Sequence, residues 1–470
     1  MIEDITRFTN LYIVSIQDSF QRERDAKQTT KDEMLAFIGL LFLCGVTRQS
    51  HTNVQDIWET DGTGIEIARA CICIKIFLFL LRVIRFDNKA DRPQCQVLDR
   101  LAAIRRIFES FVDNCKKNYC IGELMTIDET LVPFRGRCGF IQYIPNKPAK
   151  YGIKLFALCD AKMFYTANLE IYCGKQPDGP YSVSNKPADI VKKLVEPSKG
   201  KNRNLTTDNW YTSYPLTKEL IKNKITLIGT LRKNKKEIPP EMMPNKTKPV
   251  NSSMFAYQDD ITLVSYCPKK NKSVLLLSTM HPDGTVDAES QKPDIILFYN
   301  STKGGIDTID QMCGNYYVQR KTKRYLLVVF FHLFNIGGIN ANVLLNGIDP
   351  DREGIRRRFF LKNLALSLMK PHMQSRADIK NLPLDVKHFL SRYKRPLEEV
   401  EEEPQQDVRG RCVLCGRKKN RTTTIVAIGR PVKSMSKLNI LVLPVLNNKW
   451  RINFTLDGSM ICKKYFKLCF

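Results

Sequence analysis

Three aspartates stand beside short apolar segments in a pattern that favours metal-dependent chemistry. Asp128 follows residues 124–127, whose apolar, partly β-branched side chains predict a buried strand. Asp208 follows a second predicted strand at 204–207, and Asp307 follows a Gly-Gly turn. Three carboxylates brought together would repel one another without divalent cations between them, and Mg²⁺ or Mn²⁺ prefers such oxygen ligands. Two such ions would activate a water or a 3′-hydroxyl and stabilise the leaving oxygen of a phosphodiester.

The surrounding elements predict how these acids are positioned. Residues 151–159 and 167–173 predict an antiparallel hairpin beside the strand at 124–127. A helix at 214–222 and a strand at 225–231 follow Asp208, which indicates an α/β layer with Asp128 and Asp208 at the carboxyl ends of strands. Asp310 comes three residues after Asp307, so the two carboxylates share a face if that segment is helical.

The charge of the chain points to a polyanionic partner. Its 470 residues include 74 Lys and Arg against 48 Asp and Glu, a net charge of +26. Nucleic acid is the expected partner, because the basic residues do not collect on one long amphipathic helix as a membrane surface would require. The 15 cysteines are irregularly spaced and favour reduced thiols inside the cell. The apolar runs at 34–46 and 72–81 are shorter than the roughly 20 residues of a membrane span, so we expect no membrane association.

Basic residues near the acids are candidate phosphate contacts. They are Arg135, Arg137, Lys147 and Lys150 in a Pro-broken loop, and Lys321, Lys323 and Arg324 ahead of a long apolar helix. For Lys147, Lys150 and Arg135 the alternative is an exposed charge without a partner. His332 within that helix is interpreted as a satisfied core histidine.

The N-terminal region is predicted to be helical. Thr30 and Glu33 have the spacing of a capping box ahead of an apolar helix at 34–44. A single helix is predicted at 68–86 and another at 101–115. Dimerisation and DNA contact both remain open as roles for this region.

Three longer motifs resemble the piggyBac transposase family. They are MTIDETLVPFRGRCGFIQYIPNKPAKYGIK at 125–154, TTDNWYTSYPL at 206–216 and YNSTKGGIDTIDQMCGNYYVQRKTKR at 299–324. The resemblance implies an α/β, ribonuclease-H-like catalytic core with an Asp triad at Asp128, Asp208 and Asp307 that binds two Mg²⁺ or Mn²⁺ ions. Asp310 matches a further required acid. It also implies cut-and-paste transposition of DNA at TTAA sites through hairpin ends, with double-stranded DNA as partner, a homodimer and a nuclear location.

The domain organisation expected from this resemblance has six segments. They are a helical N-terminal domain (1–115), a first segment of the catalytic core (120–233), a β-rich insertion (234–291), a second segment of the core with following helices (292–390), an acidic linker (391–408) and a degenerate Cys-containing tail (409–470).

Two departures from the family pattern qualify the expectation. Tyr325-Leu326 stands where the family usually has Trp-Pro. The tail retains Cys412 and Cys415 in CxxC spacing, with Cys462 and Cys469 as the only later thiols. Four cysteines can form a Cys₄ zinc site, but here we expect weak zinc binding or none, and a tail that can be removed without unfolding the core.

Two other functions remain open for this sequence. A host protein derived from a transposase could bind DNA in chromatin without cutting it, since a damaged tail need not remove the acids. A metal-dependent nuclease unrelated to transposition would fit the triad but not the long motif agreement.

Overall fold

Eleven strands and fifteen α-helices form in the part of the chain that the computed structural model describes, residues 1–347, 354–394, 410–411, 422–423 and 458–470. The helices are α1 (Ile2–Ile16), α2 (Lys31–Val46), α3 (Val54–Ile57), α4 (Glu66–Cys71), α5 (Ile74–Val83), α6 (Arg92–Leu98), α7 (Ala102–Asn118), α8 (Pro187–Val195), α9 (Tyr214–Lys222), α10 (Asp294–Thr302), α11 (Gly305–Asn315), α12 (Tyr325–Gly347), α13 (Arg357–Ala377), α14 (Leu384–Leu390) and α15 (Gly458–Cys469). The strands are β1 (Leu124–Pro133), β2 (Gln142–Tyr143), β3 (Tyr151–Asp160), β4 (Thr166–Ile171), β5 (Arg203–Thr207), β6 (Ile225–Thr230), β7 (Ser253–Gln258), β8 (Ile261–Lys269), β9 (Lys272–Ser278), β10 (Gly410–Arg411) and β11 (Thr422–Thr423).

The first nine strands form one mixed sheet. β1 is an interior strand, antiparallel to β3 on one side and parallel to β5 on the other, and β5 is parallel to β6. The predicted hairpin is confirmed, because β4 pairs antiparallel with β3. β9 pairs antiparallel with β6, so β7, β8 and β9 from the segment 234–291 extend the same sheet.

We call helices α1–α7 and α13 the helical half of the protein. Within it, α1, α4 and α13 pack against α2, an apolar helix buried along most of its length. The Thr30 side chain accepts a hydrogen bond from the Glu33 backbone N–H at 3.2 Å, as predicted. The Glu33 carboxylate, in contrast, accepts from the Thr29 hydroxyl at 2.7 Å and not from the Thr30 backbone. Gly39 lies so close to α13 that a Cβ there would stand 2.7 Å from the Ala365 carbonyl oxygen. Only glycine permits this approach of the two helices.

The single helix predicted at 68–86 is wrong. The chain forms α4 and α5 there, with Ile72 in an extended conformation between them. The Trp58 indole N–H donates to the Ile72 carbonyl oxygen at 2.8 Å. This carbonyl is therefore bonded outside the helical ladder, and apolar periodicity gives no sign of that long-range partner.

The longest helix, α12, is a core helix. Its length and apolar composition would suffice to cross a membrane, but nearly all of its side chains are buried inside the protein. His332 on α12 is buried as expected, yet its Nε2 atom has no hydrogen-bond partner within the described part of the chain. Burial lowers the pKa of His332 to about 4, so the imidazole is neutral. The expectation of a core position is confirmed, and that of a satisfied hydrogen bond is not.

The C-terminal helix α15 docks onto the helical half. The side-chain amide of Asn118 donates to the Leu468 carbonyl oxygen at 2.8 Å, and that of Asn114 to the Cys469 carbonyl oxygen at 3.3 Å. A Cβ on Gly337 of α12 would stand 2.3 Å from the Phe470 ring, so this glycine makes room for the end of the chain. The last thirteen residues thus pack against the helical half, which leads us to expect that they cannot be removed without a loss of stability.

Two of the four cysteines predicted as weak zinc ligands lie in the described part of the chain. Cys462 and Cys469 are both fully buried on α15 among apolar side chains. Burial raises the pKa of the Cys469 thiol well above its ordinary value, which disfavours the thiolate that zinc requires. Cys412 and Cys415 lie outside the described residues.

Candidate active site

The parallel pairing of β1 and β5 brings the first two predicted acids together. Ile127 stands opposite Thr207 in this register, so Asp128 and Asp208 follow at neighbouring positions of adjacent strands. Burial, then the nearby carboxylate of Glu129 and more weakly that of Asp208, raise the pKa of Asp128 to about 7. Burial is also the main cause of the raised pKa of Asp208. The predicted strand end at Asp128 is wrong, because β1 continues to Pro133 through its pairing with β3. Asp128 therefore lies within β1, whereas Asp208 directly follows β5. Both half-buried carboxylates are in an environment that disfavours their charge.

Helix α11 contributes the other two acids from above the same face of the sheet. The Thr130 hydroxyl on β1 donates to Asp310 Oδ1, and Thr130 points to the same face as Asp128 because the two are two residues apart on one strand. Asp310 is half-buried, and its burial raises the pKa of this carboxyl to about 6. Asp307 lies one turn earlier on the rim, with an exposed side chain. The predicted helical face shared by Asp307 and Asp310 is confirmed.

Threonines from three elements fix the position of α11, and the sequence reasoning missed them. The Thr126 hydroxyl on β1 donates to the Thr302 carbonyl oxygen at 2.7 Å. The hydroxyls of Thr206 on β5 and Thr302 at the end of α10 are hydrogen-bonded at 2.7 Å. All three side chains are buried. The turn between α10 and α11 is thereby tied to the two strands that carry Asp128 and Asp208.

Gly305 at the start of α11 provides a test of this close packing. A Cβ there would stand 2.7 Å from Cys159 Sγ and 3.3 Å from the Thr126 side chain. We expect Gly305→Ala to lower the free energy of unfolding by about 1–3 kcal/mol, as overpacked cores do, and to reduce site activity. The matched control is Gly304→Ala, where a Cβ meets nothing within 4 Å and the expected loss is below about 1 kcal/mol. Denaturant unfolding of both variants measures the difference, and equal losses would show that the contact is unimportant.

Lys147 stands among the acids instead of projecting away from them. Its ammonium nitrogen lies 3.2 Å from Asp307 Oδ1 and 3.9 Å from Asp310 Oδ2. Burial lowers the pKa of Lys147, but the carboxylates of Asp128, Asp307 and Asp310 outweigh it and the pKa is raised overall. The predicted phosphate contact is thus paired with carboxylates in this structure.

The opposite face of β1 anchors the loop that carries Asp208. Glu129 alternates to that face and lies 3.7 Å from the Lys154 ammonium. The same ammonium lies 4.8 Å from the ring centroids of both Phe156 and Trp210, whose rings are stacked 5.5 Å apart. In addition, the Trp210 N–H donates to Asp208 Oδ1 at 2.9 Å. These contacts hold Asp208 in place, and the Asp-Asn-Trp sequence was the available signal for them.

The other predicted basic residues lie on a neighbouring surface. Arg135, Arg137, Lys150, Lys321 and Lys323 are all exposed. A Cβ on Gly136 would stand 2.7 Å from the Lys323 carbonyl oxygen, so the loop at 135–137 contacts the segment at 321–323. We call these five side chains the basic rim. Its exposed cationic groups suit a polyanion such as a phosphate backbone.

Arg324 differs from the basic rim in its contacts. Its guanidinium donates to the carbonyl oxygens of Leu81, Arg82 and Ile84 at the end of α5, over 2.6–3.2 Å. Burial, followed by repulsion from Arg85 and Arg92, lowers its pKa to about 10. Arg324 thus joins the helical half to the start of α12.

The four carboxylates are side chains of the type that binds divalent cations, although they are not arranged as a complete metal centre. Among the described residues, no three His, Cys, Asp or Glu side chains converge closely enough to constitute one. The structure sets Asp128 beside Asp208, and it pairs Lys147 with Asp307 and Asp310. The charge of Asp128 also raises the pKa of Lys147. The donors are all carboxylate oxygens, which are the ligands that Mg²⁺ and Mn²⁺ prefer.

The raised carboxyl pKa values lead to a prediction about pH. Below about pH 7 the Asp128 carboxyl holds a proton that a metal ion must displace, and burial also raises the pKa of Asp208. We expect Mn²⁺ affinity to increase steeply from pH 6 to pH 8. Calorimetric titration of the protein across this range measures it, and an affinity independent of pH would remove these carboxyls from the metal site.

The fold and site define a class of protein: a mixed α/β protein with carboxylates at neighbouring positions of two adjacent parallel strands and a basic rim beside them. A family model described as Transposase IS4 matches residues 1–342. A cryo-EM structure of the piggyBac transposase synaptic complex with hairpin DNA is 34% identical, with a TM-score of 0.78, and the match covers 90% of this chain and 89% of that chain. The chain belongs to this transposase family and is a piggyBac family member.

Two human relatives are more distant. The piggyBac transposable element-derived protein 3 of Homo sapiens is 24% identical over 351 residues, which is 69% of this chain and 56% of the relative. The chimeric ERCC6-PGBD3 protein of Homo sapiens is likewise 24% identical over 351 residues, 31% of its length. The match therefore spans about half or less of these curated relatives.

Proposed function

We propose that this chain is a piggyBac-like DNA transposase that cuts and rejoins DNA at TTAA sites with two Mg²⁺ or Mn²⁺ ions. The observation that carries the proposal is the parallel register that sets Asp128 beside Asp208, with the acids of α11 over the same face. The strand order β4-β3-β1-β5-β6, in which β1, β5 and β6 are parallel, supports a ribonuclease-H-like core. The similarity to a transposase complex that contains hairpin DNA supports DNA as the substrate.

Each group has a proposed role. Asp128, Asp208 and Asp307 hold the metal ions, and Asp310 keeps α11 in place through Thr130. When bound, the ions supply an activated water or 3′-hydroxyl and a stabilised leaving oxygen. The basic rim binds the phosphate backbone and orients the strand, which is a positioning contact that carries no sequence information. We further propose that the protein acts as a homodimer in the nucleus.

A second candidate is a transposase-derived DNA-binding protein that no longer cuts. The ion pair between Lys147 and Asp307 favours it, because the Asp307 carboxylate is mostly exposed and paired with a cation. Among the described residues, it forms no group of three metal-binding side chains with the other acids. Such a protein would use the basic rim alone.

A strand-cleavage assay distinguishes the two candidates. The substrate is a labelled duplex with a TTAA-flanked end, and the matched control carries the same bases with TTAA scrambled. The transposase requires cuts at TTAA that depend on Mg²⁺ or Mn²⁺ and disappear with a chelator. DNA binding without metal-dependent cleavage would contradict the transposase and support the second candidate.

A further inference from the structure

The position of Lys147 differs from that of every side chain on the basic rim. It lies in the loop at 144–150 between β2 and β3, and only 18% of its side chain is exposed. Lys150 in the same loop is exposed and projects outward. Two lysines of equal charge, three residues apart, thus have opposite environments, which makes one a natural control for the other.

The loop itself is built to present Lys147. The Ile144 N–H donates to the Lys150 carbonyl oxygen at 2.8 Å, and the Lys147 N–H donates to the Ile144 carbonyl oxygen at 3.2 Å. Pro145 and Pro148 flank the intervening residues and restrict their backbone. The tip of the loop is therefore a closed turn. We call Asp128, Asp208, Asp307 and Asp310 the acidic site, and the long Lys147 side chain can enter or leave it by rotation about its own bonds.

The Lys147 ammonium supplies positive charge to the acidic site. Asp128 and Asp208 are neighbours, and Asp307 and Asp310 lie one helical turn apart above them. Without a cation these carboxylates would repel one another in a partly desolvated site. The ion pairs of Lys147 with Asp307 at 3.2 Å and Asp310 at 3.9 Å supply one positive charge.

We propose that Lys147 is the resting counterion of the acidic site, that a divalent cation displaces its ammonium from Asp307 and Asp310, and that the released ammonium then binds a DNA phosphate. The proposal rests on the proposed metal-dependent function and assigns a further positioning residue to it. The singly charged ammonium and a doubly charged metal ion compete for the Asp307 carboxylate, and both cannot occupy it without strong repulsion. Binding of the divalent cation thereby frees the Lys147 ammonium to bind the phosphate backbone.

The test compares Mn²⁺ affinity in four forms of the full chain by calorimetry. In Lys147→Met the competing charge is absent, and we expect Mn²⁺ to bind about tenfold more tightly than to wild type, since removal of one partly buried charge at this distance is worth a factor of that order. Lys150→Met removes the same charge from the same loop and is expected to change affinity less than about twofold, because exposed charges are screened. Lys147→Arg keeps the cation and is expected to resemble wild type.

A second measurement follows displacement directly. Hydrogen exchange of the loop at 144–150 is expected to become faster in wild type when Mn²⁺ is added, and to be insensitive to Mn²⁺ in Lys147→Met. If that variant fails to fold, Lys147→Gln, which retains a donor for Asp307, replaces it.

The outcomes separate this proposal from the proposed function. Mn²⁺ binding to Lys147→Met that is no tighter than to Lys150→Met would overturn the counterion role while leaving transposase activity intact. A different result would overturn the proposed function and leave the counterion role standing. In that case Mn²⁺ binds more tightly to Lys147→Met than to wild type, but wild type does not cut TTAA-flanked DNA. Absence of Mn²⁺ binding in all four forms would overturn both.

Discussion

Asp208→Asn is expected to abolish metal-dependent DNA cleavage while DNA binding persists. The substitution keeps the shape of the side chain, and its carbonyl oxygen can still accept the Trp210 N–H bond that Asp208 Oδ1 accepts at 2.9 Å. It removes the charge that a divalent ion requires. Loss of an outer partner of a metal ligand costs roughly 10–100-fold, so loss of a ligand is expected to cost more than about 100-fold in cleavage rate.

The measurement is single-turnover cleavage of the TTAA-flanked duplex, together with DNA affinity at fixed salt. The matched control is Asp260→Asn, an exposed carboxylate after β7 on the segment 234–291, which is expected to cleave like wild type. Cleavage by Asp208→Asn within tenfold of wild type would exclude Asp208 from the metal site. A parallel loss of DNA binding would instead show that the substitution disturbs the fold.

Removal of α15 is expected to destabilise the whole helical half. The Phe466 ring packs 5.3 Å from that of Phe42 on α2, and the Phe470 ring packs 4.7 Å from that of Phe334 on α12. Each buried side chain of this size contributes about 1.5–3 kcal/mol, and a domain is stable by only about 5–15 kcal/mol. A chain ending at residue 457 is therefore expected to melt at least about 10 °C lower, or to aggregate.

Thermal unfolding by circular dichroism measures this difference. Lys464→Ala changes an exposed residue of the same helix and is expected to melt like the full chain. Phe466→Ala, expected to cost about 3–5 kcal/mol, provides the measurement if the shortened chain is insoluble. A shortened chain that melts within about 2 °C of the full chain would mean that α15 contributes little, and that the core is independent of its C-terminal helix.

Local patterns in the sequence predicted part of the arrangement of the acids. The strand before Asp208 ends where expected, because strand formation and termination depend on neighbouring residues. The strand before Asp128 does not end there, because pairing with the distant strand β3 extends β1 to Pro133. The helical face shared by Asp307 and Asp310 follows from the helical period alone. The same reasoning fails at Ile72, where a hydrogen bond from Trp58, fourteen residues away, interrupts the helix.

Sequence by itself thus determined that the chain is strongly basic, that an antiparallel hairpin lies beside the strand of Asp128, and that Asp307 and Asp310 share a helical face. Tertiary structure decided which cation lies among the acids, since Lys147 and Asp307 are 160 residues apart in the chain. It also decided that the last helix belongs to the core, through bonds such as that of Asn118 to Leu468, 350 residues apart. The physical reason is the same in both cases. Residue type and spacing specify local conformation, whereas the partner of a charge or an apolar face depends on which distant segment the fold brings beside it.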